Sequence, residues 1–208
     1  MKTSLWVVLC LLAAGSVIAQ PHFYLLGQLG TYRADAGSAS TYGPYLDQGI
    51  KSGTKSAWDL AIGAQLVRWG AIECGYVDFS PFSTGVLPRD PHSGSAAADA
   101  QWQTYSLRAY RVTPVITIPV ASHIDVSLLA GLTHSTANLQ MRDFLRPYYN
   151  VSLNIDDDSF HYGVGGAFWF TEHAAVSLRI VHYTFGKPNY SPNKVIANTV
   201  CVGGVWRF

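Results

Sequence analysis

The stretch Ile196-Ala-Asn-Thr-Val-Cys-Val-Gly-Gly-Val-Trp-Arg-Phe208 closes the chain and decides the fold. Its even-numbered residues from Val200 onward form an apolar set that ends in two aromatic side chains. The odd-numbered residues are small and mixed, and they include Arg207. Alternation with a period of two predicts a β-strand whose two faces meet different surroundings. A strand of a soluble sandwich alternates in the same way, so the rest of the chain has to decide between the two settings.

The N-terminal segment has the pattern of a secretory signal peptide. Lys2 supplies a positive start, the run 5–14 is apolar, and small residues such as Ala19 occupy the cleavage positions. The apolar run is shorter than the roughly 20 residues that a membrane-spanning helix needs. We therefore expect residues 1–19 to be removed and residues 20–208 to form one domain.

The composition favours a membrane protein without spanning helices. Only 13% of the 208 residues are charged and 49% are hydrophobic, whereas roughly 25% charged residues are usual in soluble domains. Removing Lys2 leaves 13 basic residues against 13 acidic ones, so a nucleic-acid partner is not expected. No later segment offers 18 consecutive apolar residues. A closed β-barrel is the other structure that satisfies every backbone group in lipid.

The remaining segments predict eight strands with connections that are alternately long and short. Long polar connections together with tight turns are typical of transmembrane barrels, whose two ends differ in loop length. We therefore predict an all-β fold, an eight-stranded antiparallel up-and-down transmembrane β-barrel. The predicted strands are 22–33, 56–68, 71–79, 101–112, 124–139, 160–170, 174–185 and 196–208, and the long loops are 34–55, 80–100, 140–158 and 186–195.

Several segments together resemble the small OmpA-like outer-membrane barrel family. The hairpin 61–79 contains Ile72-Glu-Cys-Gly-Tyr-Val-Asp-Phe79, which is similar to the second and third strands of that family. Leu129-Ala-Gly-Leu132, Tyr162-Gly-Val-Gly-Gly-Ala167 and the final Gly203-Gly-Val-Trp-Arg-Phe208 resemble its later strands. The resemblance covers essentially the whole chain after the signal peptide. The peptidoglycan-binding domain of full-length OmpA-type proteins has no counterpart here, so cell-wall anchoring is not expected.

The resemblance implies a protein of the bacterial outer membrane. Barrels of this kind typically finish on Phe, which the assembly machinery reads, so Trp206 and Phe208 are expected to form a membrane-insertion signal. The implied partners are outer-membrane lipid, lipopolysaccharide and the barrel-assembly machinery, and the implied oligomeric state is a monomer. The expected role is structural, or it is an interaction with a host or surface ligand through the four long loops, which vary freely in such folds.

Charged residues are expected in the lumen. The family pattern points Glu73 inward, and alternation adds Asp59, Arg108, Arg179 and Arg207. An eight-stranded barrel is just wide enough for side chains to fill it, and unpaired buried charges are costly. We therefore expect these charges to pair into a structural plug, with a narrow or gated ion path as the alternative.

One motif permits an enzymatic alternative. His182 and Thr184 faintly resemble the motif of outer-membrane lipid A deacylases, in which a His acts as base for a Ser two residues later. Thr184 replaces that Ser, and no acidic residue follows at the required place. His134 and Ser135 are adjacent, so a strand directs them to opposite faces. No enzyme activity is expected.

Metal sites, cofactors and disulfides are not expected either. The run Asp156-Asp-Asp158 offers oxygen ligands of the kind that Ca²⁺ prefers, but exposed acidic residues in a loop are usually solvated. The seven His residues form no cluster with metal-ligand spacing. Cys74 is expected to face lipid and Cys201 the lumen, on strands that are not neighbours.

Overall fold

The computed structural model describes residues 22–35, 53–84, 101–143, 151–185 and 195–208. The predicted signal peptide and residues 36–52, 85–100, 144–150 and 186–194 of the predicted long loops lie outside the described residues. Within the described ranges, no helix is long and apolar enough to cross a membrane.

Eight β-strands account for nearly all of the described residues. Their bounds are β1 His22–Asp35, β2 Lys55–Val67, β3 Gly70–Thr84, β4 Gln101–Ala121, β5 Ile124–Asp143, β6 Val151–Trp169, β7 Ala174–Phe185 and β8 Val195–Arg207.

The strands form a closed barrel in chain order. Each strand pairs antiparallel with its neighbour along the chain, and β8 closes the barrel against β1, where Leu29 pairs with Val202. Closure removes the free edges that an open sheet would expose. The predicted eight-stranded antiparallel up-and-down barrel is confirmed. Tight turns lie at one end of the barrel, called the turn end below, and the opposite end is called the loop end.

Several strands are longer than predicted, and the extension is largest in β6 and β4. β6 begins at Val151, so Asp156–Asp158 lie in a strand and not in a loop. In the sequence, polar residues at successive positions of this segment indicate a loop. The same residues are compatible with a strand whose two faces both meet water beyond the lipid. β4 continues to Ala121 although Pro114 donates no hydrogen bond. The β4–β5 register is the same on both sides of this proline, which therefore interrupts the pairing without shifting it.

The outside of the barrel carries an apolar band between two groups of aromatic residues. On β5 every outward side chain from Ile124 to Leu132 is apolar. This stretch spans about 27 Å along the strand at roughly 3.4 Å per residue, close to what a tilted strand needs to cross lipid. Outward aromatic residues flank the band as in transmembrane barrels. They are Phe23, Trp69, Phe168, Phe170, Trp206 and Phe208 toward the turn end, and Trp58, Tyr76, Tyr110 and Tyr162 toward the loop end.

Candidate functional site in the barrel lumen

The loop-end half of the lumen is filled with apolar and aromatic side chains. Phe79 is fully buried and makes edge-to-face contacts with the rings of Tyr32, Tyr183 and Phe185, at centroid distances of 5.0, 5.5 and 5.3 Å. Such contacts are favourable beyond the area they bury. This aromatic layer, defined as Tyr32, Phe79, Phe82, Tyr105, Tyr183 and Phe185, closes the barrel interior on the side of the long loops.

A charged network lies in the middle of the lumen, on the turn-end side of the aromatic layer. At its centre is Glu73 on β3, whose side chain is completely buried. Arg179 binds this carboxylate with both terminal nitrogens, at 2.7 Å to Oε2 and 2.6 Å to Oε1. Arg111 donates to Oε2 at 2.9 Å, and the hydroxyl of Tyr24 donates to Oε1 at 2.9 Å. Four hydrogen bonds therefore satisfy a carboxylate that has no access to solvent.

Arg111 connects this carboxylate to a second one. Its Nη2 lies 2.9 Å from Oδ2 of Asp59, and its Nε lies 3.3 Å from Oδ1 of the same residue. The network therefore contains two cations and two anions. Removing one partner from such a buried set leaves an uncompensated charge, which costs more than the pair itself stabilises.

A histidine extends the network through the hydroxyl groups of two threonines. Arg111 Nη1 donates to Oγ1 of Thr113 at 2.9 Å, and that hydroxyl lies 2.8 Å from Nε2 of His161. The other ring nitrogen lies 2.6 Å from Oγ1 of Thr133. The His161 ring also stacks on Tyr183 at 5.5 Å. His161 therefore joins the charged network to the aromatic layer.

The network depends on a glycine at one crossing point. Tyr24 and Gly63 are direct partners on β1 and β2. A Cβ atom on Gly63 would lie 2.5 Å from Cε1 of Tyr24, in collision with the ring. The absence of a side chain therefore lets the Tyr24 ring cross β2 and reach Glu73 on β3.

The predicted lumen charges have different locations. Asp59, Glu73 and Arg179 lie inside the barrel and share the network described above. Arg207 faces inward at the turn end, where its Cζ lies 4.0 Å from the centre of the Trp169 ring. It forms no ion pair with any residue that the structure describes.

The prediction for Arg108 is wrong. Its side chain is 64% exposed on the outside of the barrel, where Nε lies 3.3 Å from Oδ2 of Asp78. The apolar residues Leu107 and Ala109 next to it point inward because the loop-end half of the lumen is apolar. Beyond the apolar band, the outer face of the barrel meets lipid headgroups and water. Polar residues therefore point outward there and apolar residues point inward, the reverse of their orientation within the band.

Arg111 is the lumen cation that the sequence reasoning missed. The prediction ended β4 at Val112, so the apolar residues that follow did not inform the assignment of faces. Val112, Ile116 and Ile118 all point outward. Because neighbouring residues of a strand point to opposite faces, this series predicts that Arg111 points into the lumen.

The two residues of the predicted insertion signal lie at the turn end. Trp206 and Phe208 are 54% and 63% exposed on the outside of the barrel. The backbone N–H of Phe208 donates to the carbonyl of Phe23 at 2.9 Å, so β1 holds the last residue. Their role as a signal stays a prediction.

The residues considered for catalysis are separated or have other partners. His182 lies on the outer face, with Nδ1 2.8 Å from Oδ1 of Asn198 and its ring stacked on Tyr162. His134 is exposed on the outer face, whereas Ser135 is buried in the lumen.

The two cysteines considered for a disulfide differ in exposure. Cys74 is exposed, Cys201 is buried, and both are free thiols. Within the described ranges, no group of three or more His, Cys, Asp or Glu residues is arranged to hold a metal ion.

Together, the closed sheet, the apolar outer band and a lumen packed in its middle and its loop-end half define a small transmembrane barrel. The family model described as "Outer membrane protein beta-barrel domain" matches residues 4–208, and the chain belongs to this family. The predicted family and the predicted location in the bacterial outer membrane are confirmed. A search of curated proteins found no match.

Solved structures of outer-membrane proteins share the fold. Ail, the attachment invasion locus protein of Yersinia pestis, was solved in complex with the heparin analogue sucrose octasulfate. It matches with a TM-score of 0.51 and 11% identity, over 89% of this chain and 99% of Ail. Neisserial surface protein A matches with a TM-score of 0.56 and 14% identity, over 89% of this chain and 97% of that protein. OprG of Pseudomonas aeruginosa matches with a TM-score of 0.56 and 12% identity, over 92% of this chain and 97% of OprG. At these identities the likeness shows the fold alone.

Proposed function

We propose that this protein is a closed, non-enzymatic barrel that supports contacts at the bacterial surface. The observation that carries the proposal is the double closure of the lumen. The aromatic layer around Phe79 and the charged network around Glu73 lie one behind the other. A solute would have to displace both to cross the membrane. The function therefore lies with the surface that the barrel presents.

The strands that extend beyond the lipid support this proposal. β5 continues for eleven residues after Leu132, from Thr133 to Asp143, and it pairs with β4 and β6 along this length. Its outward residues from His134 to Gln140 are polar, and Asn138 donates to Asn154 on β6 at 2.7 Å. The paired strands β4, β5 and β6 thus form a polar wall beyond the lipid, which suits contacts with molecules outside the cell.

A host or surface ligand is the class of partner that we assign to this wall and to the adjoining loops 34–55, 80–100, 140–158 and 186–195. The Ail structure contains a heparin analogue, which makes a sulfated glycan a suitable first probe. Fold likeness does not transfer a ligand, so the probe has to be tested directly.

Within the membrane, the proposed partners are lipid and lipopolysaccharide. Arg33 is exposed on the outer face beyond the apolar band, at the level of lipid headgroups and their phosphates. The barrel-assembly machinery would read Trp206 and Phe208 during insertion. The proposed oligomeric state is a monomer.

The alternatives are a small gated pore and a lipid A deacylase-like hydrolase. A pore would need a rearrangement of the ion pairs of Glu73. A hydrolase would need a nucleophile for His182, whose ring nitrogen instead contacts the amide of Asn198.

Loop replacement tests the proposed surface role. Cells that display the protein are compared with cells in which short Gly-Ser linkers replace all four loops, at residues 36–52, 85–100, 144–150 and 186–194, and binding to immobilised heparin is measured. The expected result is reduced binding by a barrel that still migrates as a folded protein on unboiled gels. Leu29→Ala, on the lipid-facing surface, is the matched control and retains binding. Equal binding after replacement of all four loops would contradict the proposal.

A further inference from the structure

The turn-end half of the lumen contains a chamber of about 250 Å³ that is lined by both polar and apolar residues. The charged network forms its inner boundary, since Tyr24 and Arg179 line it from that side. It leads to a wider opening of about 970 Å³ at the turn end, because Arg68, Trp169 and Arg207 line both spaces. Polar donors reach the chamber from several strands, and they include Gln65, Thr117, Ser127, Ser177 and Arg207.

The chamber has an excess of positive charge. Arg179 is neutralised by Glu73, whereas neither Arg68 nor Arg207 forms an ion pair with a described residue. The carboxylate in the wall is that of Asp125, and its Oδ2 accepts a hydrogen bond from Nε1 of Trp169 at 2.7 Å. Apart from Arg179, which pairs with Glu73, the charged residues that line the chamber are therefore two cations, Arg68 and Arg207, and one anion, Asp125.

Arg207 is held in an arrangement that leaves it ready to bind an anion. Its guanidinium lies over the Trp169 ring at 4.0 Å, a stacking that leaves the in-plane N–H groups free to donate. Its Nε is buried and has no hydrogen-bond partner among the described residues. A buried donor without a partner is costly, and an oxyanion in the chamber would supply the missing acceptor.

We propose that this chamber binds a small oxyanion of the phosphate type that enters from the turn end. Guanidinium groups match phosphate oxygens in geometry and charge, and hydroxyl groups from other walls provide further donors. The ion pairs of Glu73 close the chamber toward the loop end, so the site retains its ligand and does not conduct it. The inference is independent of what the outer loops bind.

The indole N–H of Trp169 provides a local probe for a test in solution. Folded protein in detergent micelles is titrated with inorganic phosphate at constant ionic strength while the Trp169 resonance is followed by NMR. A second titration uses a water-soluble short-chain phosphatidylglycerol. Saturation by either compound supports an oxyanion site, and the comparison distinguishes a free anion from a lipid headgroup as its source. Chloride is the reference and produces no saturable shift.

Variants connect the signal to the chamber. Arg207→Gln is expected to weaken binding about tenfold, as for loss of one charge-assisted contact. Arg108→Gln, on the outside of the barrel, keeps the wild-type affinity. Because Arg207 precedes the last residue, Arg68→Gln is measured as well, and a folded Arg68→Gln barrel is expected to bind several-fold more weakly. The proposal is overturned by the absence of a saturable shift in the wild type, or by wild-type affinity in the folded variants.

Discussion

The hydroxyl of Tyr24 on β1 donates a hydrogen bond of 2.9 Å to Oε1 of Glu73 on β3, across the intervening strand. The contact is possible because Gly63 on β2 leaves room for the tyrosine ring. One residue without a side chain thus connects the packing of three strands to the charge balance of the lumen.

Gly63→Ala is predicted to destabilise the barrel by about 1–3 kcal/mol, the usual cost of overpacking. The added methyl group collides with the ring of Tyr24 and displaces its hydroxyl from Glu73. Urea unfolding in detergent micelles measures the loss. Gly204→Ala is the matched control, since the nearest atom to its added Cβ is a carbonyl oxygen 4.0 Å away. Equal stability of the two variants would contradict the role of Gly63.

Glu73→Gln is predicted to destabilise the barrel by about 3–5 kcal/mol, because two buried guanidinium groups would share one remaining carboxylate. Adding Arg179→Gln restores the charge balance and is expected to recover part of the loss. The free energy of unfolding of each variant measures this. Arg108→Gln, which breaks the exposed pair with Asp78, is the control and should cost at most about 1 kcal/mol. A Glu73→Gln protein as stable as that control would show that the network contributes little.

Phe79→Ala is predicted to cost about 3–5 kcal/mol by opening a cavity in the aromatic layer. The side chain is fully buried against Tyr32, Tyr183 and Phe185. The temperature at which the unboiled protein loses its compact gel migration reports the effect. Phe160→Ala removes an outward ring that is 69% exposed and should leave this temperature nearly unchanged. Similar shifts in both variants would argue against a packed layer.

The pair His134 and Asp158 predicts a local pH response beyond the apolar band. A hydrogen bond of 2.8 Å to Oδ1 of Asp158 raises the pKa of His134 above its ordinary value, and the charge of Asp156 acts in the same direction. A raised pKa means that the contact is strongest below the ordinary histidine pKa and is lost as pH rises through the shifted one. NMR titration of the imidazole measures it, and Asp158→Asn should lower the pKa. An unchanged titration in that variant would refute the pairing.

The architecture could be predicted from the sequence because alternation and loop length are local signals. The closing strand and the alternation of long and short connections identified the barrel. Alternation also put Asp59 and Arg179 on inward-facing positions, and the resemblance to the family did the same for Glu73. These signals depend only on which face of a strand meets lipid.

Contacts between distant strands could not be predicted in this way. The assignment of Arg108 to the lumen failed because the rule that apolar residues face outward does not hold beyond the lipid. Arg111 was missed because the predicted β4 ended at Val112, whereas the strand continues past Pro114 with an unchanged β4–β5 register. The contact of Tyr24 with Glu73 depends on the order of strands and on Gly63, and no local pattern specifies it.

The most direct test of the closed lumen is single-channel recording of the refolded wild-type protein in a planar bilayer. We predict no stable conductance steps, because the aromatic layer and the ion pairs of Glu73 block the path in series. Protein from the same preparation, boiled before addition, is the control for contaminating channels. Steady, ohmic steps that the folded wild type produces and the boiled sample lacks would contradict the account and favour a pore.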